Sequence, residues 1–348
     1  MVQNPKDSLF TANHLTPVRW VLALMVMLGH AWFVTEGYEP IRLHDYTASY
    51  MAVNGFFILS GLLITKSLVL GRSKFNYTKS RLLRIMPGLA FILVVYVLVI
   101  APLFTQGPVN HTDFAGYALR VLMMGDPEAT PGVIFADNPK HVFNGALWTI
   151  RFEILAYFMA AGLVWTKIVR SPATAIGVWL GLTISDLIAP SIIDHGGLLS
   201  ALRLCSAFSF GMVLWYVPAL RRPSWMLVGL GGLAFLTFGW TLVGEILANL
   251  ALTGLMLKLG LPQLASPTVQ RLPDWSYGIY LWHYPAMQIL LSLQPSLSPL
   301  EVFLFGLPPT LLMAMISWHA VEKTALRLKS ARLPFSFTAR KNLPDQAK

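Results

Sequence analysis

The stretch RWVLALMVMLGHAWF, residues 19–33, is apolar enough to enter a bilayer, yet it begins with Arg19 and carries His30 near its far end. Ionisable groups within a membrane are expensive and face a cavity or a partner rather than lipid. Eleven residues of α-helix turn through about 1100°, within roughly 20° of three full turns, and rise roughly 16 Å. Arg19 and His30 therefore share one helix face, about half a bilayer apart. The competing reading is an arginine that snorkels at a helix start and a histidine satisfied inside a helix bundle.

A carboxylate is expected at a similar depth. The segment ALWTIRFEILAYF places Trp148, Arg151 and Glu153 in its outer half if it enters from outside, and His30 lies toward the outer end of its own segment. A histidine facing a carboxylate in a low-dielectric site is a better base, so His30 and Glu153 form a candidate catalytic pair. The sequence speaks to their depth, not to their contact. An ion pair of Glu153 with Arg151 is the alternative, but positions i and i+2 point to different helix faces.

Basic residues gather toward the other side. KSRLLRIMP sets Arg81 and Arg84 three apart on one face at the start of a segment, where a helix N-terminus and arginine forks both suit phosphate. Ordinary anchoring of positive charge at the cytoplasmic face explains them equally well. In DWSYGIYLWHYP, Ser276, Tyr280 and His283 recur at i, i+4 and i+7 and draw one polar stripe into the membrane; a hydrogen-bond network within a bundle would do the same. NGFFILSGLLI offers Asn54, Gly55, Ser60 and Gly61, small residues that let helices approach closely, with a ligand passage as the second reading.

The elements that must position these residues are membrane spans. Of 348 residues 55% are hydrophobic and only 12% charged, about half the charge of a soluble chain. Ten apolar segments read as spans near 17–34, 47–70, 82–104, 146–165, 173–190, 198–218, 224–240, 241–259, 275–293 and 300–321, the seventh and eighth barely separated. An all-α polytopic integral membrane bundle with cytoplasmic N- and C-termini is expected. With that orientation, all but Arg42, Arg120, Lys140, Arg151 and Arg203 of the 26 lysines and arginines fall on the cytoplasmic side or in the tail, as the positive-inside rule requires. The net charge of +10 is thus topological rather than a nucleic-acid footprint. The first apolar stretch, longer than a signal-peptide core and lacking a small-residue cleavage site, reads as a span. The single cysteine, Cys205, excludes an internal disulfide framework.

The chain reads as one transmembrane domain, 1–348, with a long external loop at 105–145 and a short basic cytoplasmic tail at 323–348. Loops of such length are usually functional or disordered. Within it Phe114, Tyr117, Ala118 and Val121 recur at i, i+3, i+4 and i+7, which predicts a short amphipathic helix at the membrane surface. There is no G-x-S-x-G elbow, H-E-x-x-H, Cys/His metal cluster, phosphate-binding glycine loop or short His-Asp acyltransferase motif.

These segments, in this order, resemble the acyltransferase 3 family of membrane-bound O-acyltransferases. LTPVRWVLALMVMLGH is similar to the family's opening Arg…His helix, FFILSGLLI to its Ser-Gly motif at Ser60 and Gly61, and RLLRIMP to its two-arginine motif. LWTIRFEILAY resembles its Leu-Trp-Ser-Leu-x-x-Glu motif with Thr149 in place of Ser, and lands on Glu153 and Tyr157. SYGIYLWHYP resembles a late Tyr/His motif; SWHAVEK resembles the closing one, though Lys323 and Thr324 depart from it, which leaves Glu322 little weight. The resemblance implies a ten-helix core in the inner membrane. It also implies transfer of an acyl group, usually acetyl, from acetyl-CoA to a hydroxyl of a surface or exported glycan, with no resident cofactor or metal. Under it, Arg19, Arg81 and Arg84 hold the coenzyme phosphates, with Ser60, Tyr280 and His283 along the acyl-CoA path. His30 is general base, Glu153 orients it, and Trp148 and Tyr157 meet the acceptor. A polytopic transporter, a structural membrane subunit, and an enzyme of the unrelated lipid- or protein-modifying membrane acyltransferases are the other readings.

Overall fold

A computed structural model describes residues 15–71, 73–260 and 267–329. Lys6, Arg72, Arg332, Arg340, Lys341 and Lys348, which entered the charge count, lie outside the described residues, as do both chain ends.

Helix covers each of the ten apolar segments. They form α1 (Leu15–Glu36), α2 (Ala48–Leu70), α3 (Lys74–Val95), α5 (Trp148–Trp165), α6 (Pro172–Ile188), α7 (Gly196–Tyr216), α8 (Trp225–Phe238), α9 (Gly244–Gly260), α10 (Ser276–Leu293) and α11 (Pro299–Ile316). A shorter helix α4 (His111–Leu122) stands between α3 and α5. Six stretches are long and apolar enough to cross a membrane: α1, α2, Lys74–Phe104, Pro172–Ser191, α7 and Pro299–Arg327. The protein is a multi-pass membrane protein.

The chain's punctuation is local. Thr47, Ser73 and Ser224 cap α2, α3 and α8 through their side-chain oxygens, and Ser171 with Thr174 forms a capping box ahead of Pro172. Residues 239–243 turn the chain between α8 and α9, which separates the seventh segment from the eighth. The third segment begins earlier than its hydropathy suggests. Capped by Ser73, α3 starts at Lys74, so Arg81 and Arg84 lie about two and three turns inside it rather than at its N-terminus. Any anion there meets their guanidiniums, not free backbone N–H groups.

Packing centres on α1 and α2, with α7, α9, α10 and α11 around them. The α2–α7 crossing explains two glycines. A Cβ on Gly61 would overlap the Phe208 carbonyl, and one on Gly211 the Ile58 carbonyl, so only glycine lets these backbones touch. Asn54 serves a different end: its amide donates to Glu245 Oε1 (2.9 Å) and Asn249 Oδ1 (3.1 Å), and its carbonyl accepts from Arg203 Nη1 (3.0 Å). This network satisfies Arg203 inside its span. In the long connection from α3 to α5, α4 buries Phe114, Tyr117, Ala118 and Val121, the four positions its periodicity picks out. They pack against the end of the α3 stretch, with Tyr117 and Phe114 on Tyr96, so the apolar face meets protein rather than a membrane surface.

Candidate active site

Two polar clusters sit along the parallel pair α1 and α10, and helix register sets both. At one end, Arg19 in the first turns of α1, Arg84 on α3 and Asp274 just before α10 form a clamp. Arg19 Nη1 and Arg84 Nη2 both donate to Asp274 Oδ2 at 2.7 Å, and Ser276 Oγ donates to Asp274 Oδ1 at 2.7 Å. Burial alone would push the Asp274 carboxyl up, but Arg19 and Arg84 outweigh it and hold the group well below the usual carboxylate range. Beside the clamp Trp20 and Trp275 stack with centroids 5.4 Å apart, and Arg84 lies between the rings of Tyr277 and Trp318.

Above the clamp is a cavity of about 360 Å³. Arg19, Arg81, Arg84 and Lys329 line it together with Ser60, Glu153, Tyr157, Thr149 and Tyr280. Arg81 differs from its neighbours: its Nε donates to Ser80 Oγ (3.2 Å) and its guanidinium sits over Tyr77, but neither ion pair of the clamp includes it. Tyr157 donates its hydroxyl to Glu153 Oε1. At the far end Tyr280 donates to the Ala146 carbonyl (3.0 Å) and shares a 2.6 Å hydrogen bond with Thr149. Arg151 points elsewhere, to a small pocket with Leu89, Val121 and Met124, as the i, i+2 geometry requires.

Behind Tyr280 lies the second cluster. His30 Nδ1 is 2.8 Å from His283 Nε2, and His283 Nδ1 is 3.1 Å from the Ile279 carbonyl. His283 is wholly buried and His30 partly so, with Tyr284 edge-on to His30 at 5.4 Å. Pro285 in α10 lacks an N–H and so frees the carbonyl four residues back. Asn144 Nδ2 donates to that Leu281 carbonyl at 2.8 Å, which fastens the loop before α5 to the helix beside the histidines.

The structure therefore redistributes the residues singled out in the sequence. Arg19, Arg81, Arg84, Ser60 and Tyr280 come together around one cavity, as the donor-path reading expects. His30 meets His283 rather than Glu153, whose carboxylate is turned into the cavity and bonded to Tyr157. His283 leaves the cavity-facing stripe because the seven-residue step from Ser276 carries it beyond Tyr280. Tyr157 lines the cavity with Glu153, whereas Trp148 packs edge-on to Phe152 and is not among its walls. Asp274, Tyr277, Trp318 and Lys329 were missed. Asp274 had a signal, an acid directly before a span start and three residues after Arg271. Glu322, given little weight, is buried with Ser317 Oγ on its Oε1 at 2.8 Å.

The fold and site define a multi-pass helical membrane protein with an arginine-lined cavity and a histidine pair inside the bundle. Known sequences narrow this. A family profile described as an acyltransferase domain matches residues 15–319, which takes in both clusters and every helix from α1 to α11. The chain belongs to this acyltransferase 3 family and is a membrane O-acyltransferase. It is similar to nodulation protein 10 of Rhizobium leguminosarum bv. viciae, at 26% identity over 92% of this chain and 94% of that one. It is similar also to the O-acetyl transferase of Shigella phage Sf6, at 25% identity over 92% and 98%. No solved structure matches.

Proposed function

We propose that this enzyme transfers an acyl group, acetyl in the first instance, from acyl-CoA to a hydroxyl of a surface or exported glycan. Ten spans in the inner membrane, with cytoplasmic termini, put the clamp end of α1 on the side where coenzyme A is found. The observation that carries the reading is the placement of both clusters on one helix pair. Arg19–Asp274 lines the cavity and His30–His283 lies beyond its Tyr280 wall, eleven and nine residues further along the two helices, about 14–16 Å at helical rise. A pantetheine arm of that reach would join phosphates at the arginines to a thioester near His30.

In this reading Arg81 and Lys329 take the phosphates first, with the outward N–H groups of Arg19 and Arg84 beside them. Ser60 and Tyr280 line the arm's path. Glu153 and Tyr157 shape the cavity wall and keep the arginines oriented, and Trp148 with the external loop offers an aromatic surface to the acceptor. His30 removes the proton of the acceptor hydroxyl as its oxygen attacks the thioester carbonyl. The C–O bond forms, the C–S bond breaks, and the imidazolium returns the proton to the departing thiolate. Transfer is direct, in a ternary complex. The O-acetyl transferase relative supports acetyl as the group.

The test uses purified protein in nanodiscs with acetyl-CoA and cell-envelope glycan, following coenzyme A binding and thiol release. His30→Ala is expected to abolish release and keep binding, and Arg81→Ala to weaken binding about 10–100-fold, the loss of a charge-assisted hydrogen bond. Wild type that binds no coenzyme A would sink the donor assignment and point to an acyl donor of another chemistry.

A further inference from the structure

The geometry points to His283 as the positioning residue that selects which nitrogen of His30 is the base, an inference that rests on His30 taking the hydroxyl proton. With both rings neutral, the proton bookkeeping of the pair has one solution. The Ile279 oxygen, 3.1 Å from His283 Nδ1, can only accept, so His283 Nδ1 carries a hydrogen. With that ring neutral, its Nε2 holds a lone pair. His30 Nδ1, 2.8 Å away, must then be the donor. The remaining nitrogen of His30, Nε2, is left without a hydrogen and is the only basic site on the ring.

Ring geometry agrees. The two imidazoles have centroids 5.1 Å apart and planes inclined by 20°. With the nitrogens at 2.8 Å, the rings meet edge to edge and nearly in one plane, where a nitrogen lone pair is directed. The support behind them is rigid. His283 is wholly buried on α10, and the carbonyl it binds lies one turn back on the same helix. Tyr284 holds the His30 ring edge-on. Met27, Ala31 and Met287, all fully buried, belong to the same apolar cluster as Tyr284.

Hydrolytic triads use a carboxylate to hold a histidine in the productive tautomer. Here a second imidazole, backed by a main-chain carbonyl, does that work. When His30 Nε2 accepts the acceptor proton, its Nδ1–H bond to His283 is retained, and no proton passes to His283. The device places no permanent negative charge beside the thioester. It also accounts for Glu153 being turned away into the cavity.

The experiment measures tautomers and kinetics on the full-length protein in nanodiscs. Nitrogen-15 NMR of histidine-labelled protein is expected to show His30 protonated at Nδ1 and bare at Nε2, and His283→Ala to mix the two tautomers. His283→Ala should lower kcat on the order of 10²-fold or more with KM for acetyl-CoA unchanged. His283→Gln, whose amide can donate to Ile279 and accept from His30, should recover a large part of kcat; a side chain needed only for packing would not give that split. A His30 signal protonated at Nε2 in wild type overturns the proposal, as does a folded His283→Ala enzyme with kcat within threefold of wild type. Both outcomes leave the donor assignment standing. A fully active His30→Ala enzyme would instead remove the base itself.

Discussion

Asp274 is the acid on which Arg19 and Arg84 converge from different helices, and its carboxylate holds the first turns of α1, the middle of α3 and the start of α10 together. The cluster is partly shielded, so neutralising the acid leaves two guanidiniums facing one another without the anion that pairs them. Asp274→Asn is expected to lower the melting temperature in detergent. The pH dependence has a fixed sign. A carboxyl whose folded-state pKa lies below its unfolded value near about 3.9 adds stability that is fully present above that value. It is lost only as pH falls through the lowered pKa. The melting gap between wild type and Asp274→Asn should therefore hold constant from about pH 8 to about 5 and close in more acid buffer. A gap that closes on the alkaline side would contradict the clamp. Arg81 is the contrasting residue: its guanidinium faces the same cavity without an ion pair in the clamp, which is why it, not Arg19 or Arg84, carries the binding test.

At the level of elements, backbone proximity does what side chains cannot. The α2–α7 crossing is built on Gly61 and Gly211 in mutual contact with the opposite main chain. Gly211→Ala places a methyl on the Ile58 carbonyl, which cannot yield as a flexible side chain would. A loss of about 1–3 kcal/mol is expected from overpacking, read as reduced folded yield and a lower melting temperature, while Gly177→Ala on α6, where a Cβ meets nothing within 4 Å, should be neutral. The crossing also sets the cavity, because Ser60 precedes Gly61 and faces it. On α10, the proline that interrupts the helix is what fastens the loop: Pro285 frees the Leu281 carbonyl and Asn144 takes it.

For the whole molecule, the proposed ten-span arrangement makes a sharp topological prediction. The one cysteine, Cys205, is buried in α7, so a Cys205→Ala background serves for single-cysteine labelling. A membrane-impermeant thiol reagent on intact cells should modify Asp137→Cys, in the external loop, and should modify Arg222→Cys, between α7 and α8, only after permeabilisation. The reverse pattern would invert the orientation, and labelling of both from outside would break the count. How much was legible differs by feature. Each apolar segment became a helix because a backbone in hydrocarbon must satisfy its own hydrogen bonds, a constraint that acts on every residue locally. The face of α4 was equally legible, since burial follows periodicity. The start of α3 was not, because its first two turns are polar and hydropathy is blind to them.

The sequence by itself determined that this is a helical membrane protein, which residues are polar within it, and that Arg19 and His30 share a face, because composition and 3.6-residue periodicity are local properties. Only the tertiary structure decided who meets whom. Asp274 sits 255 residues from Arg19 and 190 from Arg84, and His283 sits 253 from His30. Depth along a helix can be counted in residues, but the rotation and neighbour order of helices are set by side-chain packing across the bundle. Glu153 and His283 are both available to His30 by depth. The fold turned one into the cavity and brought the other into contact.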